Sequence, residues 1–340
     1  MRPSFFPNIS RYSLGAALCL ALLVATSARG APLDELRSLA QFSSIDLAAL
    51  KNGQIVIERG PTGDFPSGIH LESCYFIHAP MSVVGETLLH WDPLRHKDLG
   101  VRLYHEFLLP LAADTFKALQ LNPAASDDKW LLERTARVVQ GSVPDDLHLT
   151  NQEADSLRQK AADPSAAWQE ILCRRGSALA SGGLAAVAPY GADNSISPAS
   201  QFHGLLTLAP KAAQHFQSIT QAQPFVSAGK PASEAVGYWE ATKVRDHTTL
   251  QLGLFTARRA PDSWQLVDCV YYPSDTYFMV LDLFQLWPVD DGTLVWQVGF
   301  VSAPFRRYLG GVDRYLAGKQ MMEETVNTIK AFRADLEKER

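Results

Sequence analysis

The sequence predicts an α+β fold in which a curved antiparallel sheet of about seven strands wraps a long carboxy-terminal helix and is interrupted by a helical insertion. Three observations carry this. Five apolar runs between residues 235 and 301 are separated by short clusters of Gly, Pro, Asp or Asn, the pattern of an antiparallel meander. Two more β runs lie near the amino end, and residues from about 105 to 230 between the two sets read as mainly helical. From Gly311 to Glu339, Tyr315, Met322, Ile329 and Leu336 recur at every seventh position, supported by Val312, Val326 and Phe332. A helix packed on one face of an antiparallel sheet buries the apolar side of both.

In chain order, Arg2 and Arg11 precede an apolar run of 12 residues, Leu14 to Ala25. That run suits a signal-peptide core and is too short to span a bilayer, which needs about 20 apolar residues. Ala28 and Gly30 stand at −3 and −1 of a cleavage site before Ala31, so residues 1–30 are expected to be a signal peptide and the mature protein periplasmic or secreted. No later stretch reaches membrane-spanning length. Pro32 to Leu50 reads as helical with a restart at Ser44-Ile45-Asp46, and Asn52-Gly53 marks a turn before the short β run Gln54 to Glu58. In the run Ile69 to His78, Ile69, Leu71, Tyr75 and Ile77 share one face, with His70, Glu72, Cys74 and Phe76 on the other. Pro80 then opens a helix over Met81 to Trp91.

Four helices are expected in the middle block: Asp114–Leu121, Ser126–Val139, Thr150–Ala162 and Pro164–Ala180. Thr150 and Glu153 have capping-box spacing, and Pro164 suits a first helical position. Gly182 to Ser200 reads as a loop. The meander strands are expected at Ala235–Val244, Thr248–Arg258, Trp264–Tyr272, Thr276–Trp287 and Thr293–Val301. Because β runs flank the helical block on both sides, residues 31–340 are expected to form a single domain interrupted at about 105–230.

Composition excludes several classes. A hydrophobic share of 46% is that of a globular chain and not of a disordered or fibrous one. The net charge is −5, and removing residues 1–30 takes away three arginines to leave 28 bases against 36 acids, or −8, which argues against a nucleic-acid partner. The same cut leaves Cys74, Cys173 and Cys269. No C-x-x-C is present, and Cys74 and Cys269 lie in apolar β runs where either buried thiols or a bridge would fit. Nucleophile-elbow, zincin, P-loop and dinucleotide-binding motifs are absent, and His90, His96 and His105 lack the spacing of a helical metal pair. No metal or cofactor is expected.

The order of elements resembles the START-like (helix-grip) superfamily. The matching pieces are Ile69–His78 running into Pro80-Met81-Ser82-Val83-Val84, the closing Asp291-Gly292-Thr293 hairpin, and Phe305-Arg306-Arg307-Tyr308-Leu309-Gly310-Gly311 entering the terminal helix. More narrowly, Leu47-x-x-Leu50-x-Asn52-Gly53-x-Ile55-Val56 and Tyr272-x-Ser274-x-x-Tyr277-Phe278 resemble an uncharacterised family of exported bacterial proteins. That family has His-Tyr-Phe shortly after the serine, whereas Asp275-Thr276-Tyr277-Phe278 stands here. The resemblance implies a cavity between sheet and terminal helix that holds a hydrophobic small molecule or lipid.

Acids inside β runs are the residues most in need of explanation. Asp282 alternates with Phe278, Val280, Phe284 and Leu286, and Asp268 with Trp264, Leu266, Val270 and Tyr272. A lone buried carboxylate costs several kcal/mol, so these faces either line a wet cavity or meet solvent. Glu72 and Glu240 pose the same question. The expected ligand contacts are Glu240, Asp268, Tyr272, Tyr277, Asp282 and Trp296, the rings forming apolar walls with polar tips unless they simply pack the core. The alternatives are a cyclase- or hydrolase-like enzyme using Asp268, Asp282 or Glu240 as acid or base, and a non-enzymatic interaction module whose contact surface is the helical insertion. Arg306, Arg307, Arg314 and Lys319 form a basic cluster that either meets an anionic head group or stays solvated.

Overall fold

Local turn chemistry and strand alternation set the architecture, seen here in a computed structural model that describes residues 32–112, 114–191, 195–226, 234–305 and 311–337. The expected signal peptide lies outside the described residues, as do Arg306 and Arg307. The amino-terminal part contains α1 (Pro32–Leu39), α2 (Leu47–Lys51), β1 (Val56–Arg59), β2 (Gly68–Ile77) and α3 (Met81–Leu89). The side chain of Asp46 caps α2, so the restart expected at that point is a new helix. Two short 3-10 turns, Pro93–Arg95 and Lys97–Leu99, lead into β3 (Val101–Phe107).

The middle block holds α4 (Ser126–Val139), α5 (Asn151–Gln159), α6 (Pro164–Gly182), α7 (Pro198–Leu206), α8 (Pro210–His215) and α9 (Gln217–Thr220). The Thr150/Glu153 capping box is complete on both sides, and Pro164 is the first residue of α6 behind the Asp163 cap. Asp114–Leu121, expected as a helix, contains only turns among its described residues. The last part of the expected loop Gly182–Ser200 instead begins α7, with Ser197 as its cap and Pro198 inside.

The meander is β4 (Glu234–Val244), β5 (His247–Ala260), β6 (Ser263–Pro273), β7 (Met279–Val289) and β8 (Gly292–Ser302), followed by α10 (Val312–Glu337). Three of its loops are two residues long: Arg245-Asp246, Pro261-Asp262 and Asp290-Asp291. Arg245 and Asp290 take left-handed backbone conformations there, which tight hairpins require. All eight strands form one antiparallel sheet in the order β1-β2-β8-β7-β6-β5-β4-β3. The edge strand β3 is an addition to the expected seven; most of its residues are half-buried or exposed, as befits a strand paired along one edge only.

Both faces of the sheet are covered. The front face carries Tyr75, Val236, Ala257, Trp264, Leu266, Phe284, Leu286 and Val295 and packs against α3 and against Ile329, Phe332 and Leu336 of α10. The back face carries Trp239, Leu252, Leu254, Leu281, Leu283, Trp296, Val298 and Phe300 and packs against α1, α2 and the middle block. The apolar side chains of that block, such as Trp168, Ile171, Leu172, Phe202 and Phe216, are therefore spent on the sheet. Within residues 105–230, Leu108 and Val143 are the large apolar side chains among the described residues that are exposed, too few to make an extended apolar patch on the expected insertion surface. The stripe of α10 packs only in its last third, leaving Val312 and Tyr315 exposed.

Buried polar links join the back face to the block. The Asp275 carboxylate is fully buried and accepts from Thr249 Oγ1 at 2.8 Å and Ser274 Oγ at 2.7 Å, with His247 Nε2 at 2.8 Å. His247 in turn stacks on Trp130 of α4 at 3.9 Å. Arg175 of α6 and Glu153 of α5 form a buried ion pair at 2.7 Å, with the guanidinium 4.0 Å above the Tyr272 ring. Cys74 and Cys269 are buried free thiols. Burial pushes both thiols up, so neither is poised as a nucleophile.

Removing one member of a buried pair leaves an uncompensated charge. Arg175→Met is expected to lower the unfolding free energy by about 3–5 kcal/mol in urea denaturation, and adding Glu153→Gln to recover part of that loss. A loss in the single variant well under about 1 kcal/mol would contradict a buried, charged pair.

Candidate functional site

Residues directly opposite one another in an antiparallel ladder point to the same face. On the front face one such row is Tyr75, Val295, Leu286 and Trp264, wholly apolar and covered by α3 and α10. Two rows further along, the row reads Phe255, Asp268, Asp282 and Gly299. The next reads Tyr238, Gly253, Val270 and Val280, and beyond it Tyr104, Glu240 and Gln251. The face thus changes from apolar to acid-bearing along the strands.

Over this acid-bearing part, the sheet and α10 leave a cavity of about 700 Å³. Its floor is β3 to β7. Gln320, Glu324, Asn327 and Thr328 of α10 form one wall at helical spacing, and the segment Trp91 to Val101 forms another. That segment is tied to α10 by Asp335, whose Oδ2 accepts from Trp91 Nε1 at 3.0 Å and lies 2.7 Å from His96 Nε2.

Two glycines shape the floor. A Cβ at Gly253 would lie 1.9 Å from Cζ of Tyr238, so only glycine lets that ring cross β5, where its hydroxyl donates to Asp268 Oδ1 at 2.8 Å. A Cβ at Gly299 would lie 2.8 Å from Asp282 Oδ1 and 3.1 Å from Met321 Cε. Its absence lets Asp282 sit beneath α10, where Gln297 Nε2 donates to Oδ1 at 2.8 Å.

The electrostatics follow from burial. Burial raises Glu240 to about 7, with the neighbouring Thr242 hydroxyl opposing. Asp268 is pushed well above the ordinary carboxyl range, first by burial and then by the neighbouring Asp282 charge. Asp282 rises to about 6 through burial, with Gln297 opposing. Burial likewise keeps the phenols of Tyr104 and Tyr238 protonated. The cavity therefore gathers carboxyls that exchange protons near neutrality, phenol donors and aromatic walls.

Of the six expected ligand contacts, Glu240 and Asp268 line the cavity. Asp282 adjoins it beside Asp268, and Tyr277 lies at its margin, where its hydroxyl pairs with Gln251 near Glu240 and Glu324. Tyr272 and Trp296 are on the back face. Tyr272 was expected to share a face with Asp268, but Leu252 pairs with Tyr272 while Gly253 pairs with Val270, leaving Tyr271 as an extra residue. This bulge turns Tyr272 over, and its hydroxyl donates to His148 O at 2.9 Å in the block. Trp296 donates to Glu72 Oε2 at 3.0 Å and packs against Phe216. Trp296 shares a face with Val298 and Phe300, and that face is the one the helices cover.

Trp91, Tyr104, Gln251 and the polar face of α10 were missed as cavity residues; the spacing 320, 324, 327, 328 was the available signal. The described members of the basic cluster are engaged elsewhere: Arg314 Nη2 donates to Gly68 O at 2.6 Å, and Lys319 lies 3.9 Å from Glu323. Among the described residues, Glu86, His90 and Glu234 come close enough together to hold a metal ion. Arg259 already occupies both carboxylates, at 3.0 Å from Glu86 Oε2 and 2.8 Å from Glu234 Oε2, and its guanidinium lies over the Trp264 ring. His90, His96 and His105 go separately to Glu106, Asp335 and the Trp239 ring.

No protein-family profile and no curated protein matches the sequence. Among solved structures, the crystal structure of Ara h 8.0201 is similar to 41% of this chain and 89% of its own, at 10% identity and a TM-score of 0.22. A score that low does not define the fold. No helix among the described residues is long and apolar enough to cross a membrane.

Because burial raises Glu240 in the folded chain, folding takes up a proton there. Its contribution to stability is complete below about pH 4.5 and is lost as pH rises through about 7. In parallel thermal melts, the Tm of Glu240→Gln minus that of the parent is expected to grow steadily more positive from about pH 5 to about pH 8. A difference flat with pH would mean that Glu240 titrates as in the unfolded chain.

Proposed function

We propose that this chain is an exported protein of helix-grip (START-like) type that holds a small organic molecule in the cavity between its sheet and α10. In this reading residues 1–30 are the signal peptide, and residues 31–340 are one domain with α4 to α9 as its helical insertion. The observation that carries the reading is the cavity itself: about 700 Å³, with aromatic and aliphatic side chains on the strand floor, a polar wall from α10 and two convergent carboxyls. That volume lies within the range of small-molecule sites. Trp91, Phe255, Val270 and Val280 would take an apolar body, while Glu240, Asp268 and Gln251 would fix the orientation of a polar end.

A second reading, an enzyme using the same cavity, is favoured by one observation. Asp268 and Glu240 both line it, and both have their proton affinity raised toward the range useful for acid–base work at neutral pH. Incubating the purified chain with the molecule it carries distinguishes the two, since an enzyme converts that molecule and a simple binding protein returns it unchanged.

Native mass spectrometry of the full chain purified without denaturant is expected to reveal a small molecule in stoichiometric amount. Val280→Trp should fill the cavity and lower occupancy at least about tenfold with unchanged far-ultraviolet circular dichroism, as one lost anchor contact is worth a few kcal/mol. A folded Val280→Trp protein that retains the molecule would place the site elsewhere.

A further inference from the structure

We propose that the molecule held in the cavity is an organic cation, an ammonium borne on an apolar or aromatic body, with its charge between Glu240 and Asp268 and its body against the rings of Tyr104, Tyr238 and Phe255. This rests on the reading of the cavity as a small-molecule site and specifies what that site selects.

The first support is the charge balance. Among the described residues, no ion pair reaches Glu240, Asp268 or Asp282; Tyr238 donates to Asp268 and Gln297 donates to Asp282. Three bases, Lys97, Lys243 and Arg245, also line the cavity, each with an exposed side chain. Lys243 Nζ is 3.0 Å from Asp127. From α10 the cavity receives Gln320, Glu324, Asn327 and Thr328, so that wall brings one more acid and no base. An anionic ligand would add like charge to this set, and a neutral one would leave the carboxyls dependent on protons. A cation supplies the missing partner.

The second support is the wall. The Tyr104 and Tyr238 ring centroids are 5.6 Å apart, and those of Tyr238 and Phe255 are also 5.6 Å apart. They form one continuous aromatic surface bordering the carboxyls, and Trp91 lies on the adjoining segment. Aromatic faces carry negative electrostatic potential and attract alkylammonium groups.

The groups facing these carboxyls are Tyr104, Tyr238 and Tyr277, which stay neutral, together with Glu324 of α10 and the exposed charges Lys97, Asp98, Lys243 and Arg245. A bound cation replaces the protons, so its affinity rises with pH across the range in which Glu240 and Asp282 ionise.

The test is calorimetric titration of the full chain with three probes of one shape: benzyltrimethylammonium, the uncharged neopentylbenzene and the anionic phenylmethanesulfonate. The ammonium is expected to bind at least tenfold more tightly than either of the others. Its affinity should rise about tenfold or more from about pH 5.5 to about pH 8, a dependence that a quaternary ion cannot generate itself. Asp268→Asn with Glu240→Gln should remove that preference without weakening the hydrocarbon. Equal or tighter binding of the hydrocarbon or the sulfonate, sensitive to Val280→Trp, would overturn the cation and leave the cavity as a binding site. Failure of all three probes, with no bound molecule in the native protein, would overturn both readings.

Discussion

Asp268 and Asp282 face each other across neighbouring strands in the middle of a sheet, and no apolar helix can be laid over such a pair without a cost of several kcal/mol. The packing of the front face follows from that constraint. α10 places Ile329, Phe332 and Leu336 over the apolar rows and turns Gln320, Glu324, Asn327 and Thr328 toward the acid-bearing rows. The cavity is what remains where helix and sheet cannot close on each other. Gly253 and Gly299 belong to the same solution, since the first lets Tyr238 reach Asp268 and the second lets Asp282 sit beneath Met321.

The back face has the opposite composition and the opposite fate. Its rows are almost wholly apolar, so it must be covered, and the six helices between β3 and β4 supply the cover. Apolar contact alone would leave the register of sheet and block loosely specified. Directional bonds at fixed points add to it: Thr248 Oγ1 donates to Asp128 of α4 at 2.7 Å, and the Tyr272 hydroxyl donates to His148 O at 2.9 Å. His247 of β5 reaches the Asp275 carboxylate, its Nε2 2.8 Å from Oδ1.

Much of the meander was legible in the sequence because each hairpin is a local matter: two residues such as Asp290-Asp291 between alternating strands specify the turn and the register together. The α5 cap was legible for the same reason. The edge strand β3 was not, since a strand that pairs along one edge and lies beside solvent has little apolar pattern to read. In the site, alternation correctly grouped Asp282 with Val280 and Phe284, and Asp268 with Val270. It failed at Tyr272 because one inserted residue in β6 reverses the faces beyond it, and a bulge has no signature in a run such as Val270-Tyr271-Tyr272-Pro273. It failed at Trp296 because period two separates faces without saying which of them a helical block will cover. Trp91 and the polar face of α10 depend on where α10 crosses the sheet, a tertiary property.

The account turns on the carboxyls of the front face being withdrawn from water in the ligand-free protein. Carbon-13 NMR titration of the Asp and Glu side-chain carboxyls in the full chain, with Glu240, Asp268 and Asp282 assigned by Gln or Asn substitution, measures this directly. Glu240 is predicted to titrate near 7 and Asp282 near 6, with Asp268 above the ordinary carboxyl range and coupled to Asp282. Titration of all three near the ordinary values of about 4 would mean an open, solvated face, and would contradict the cavity and the function proposed for it.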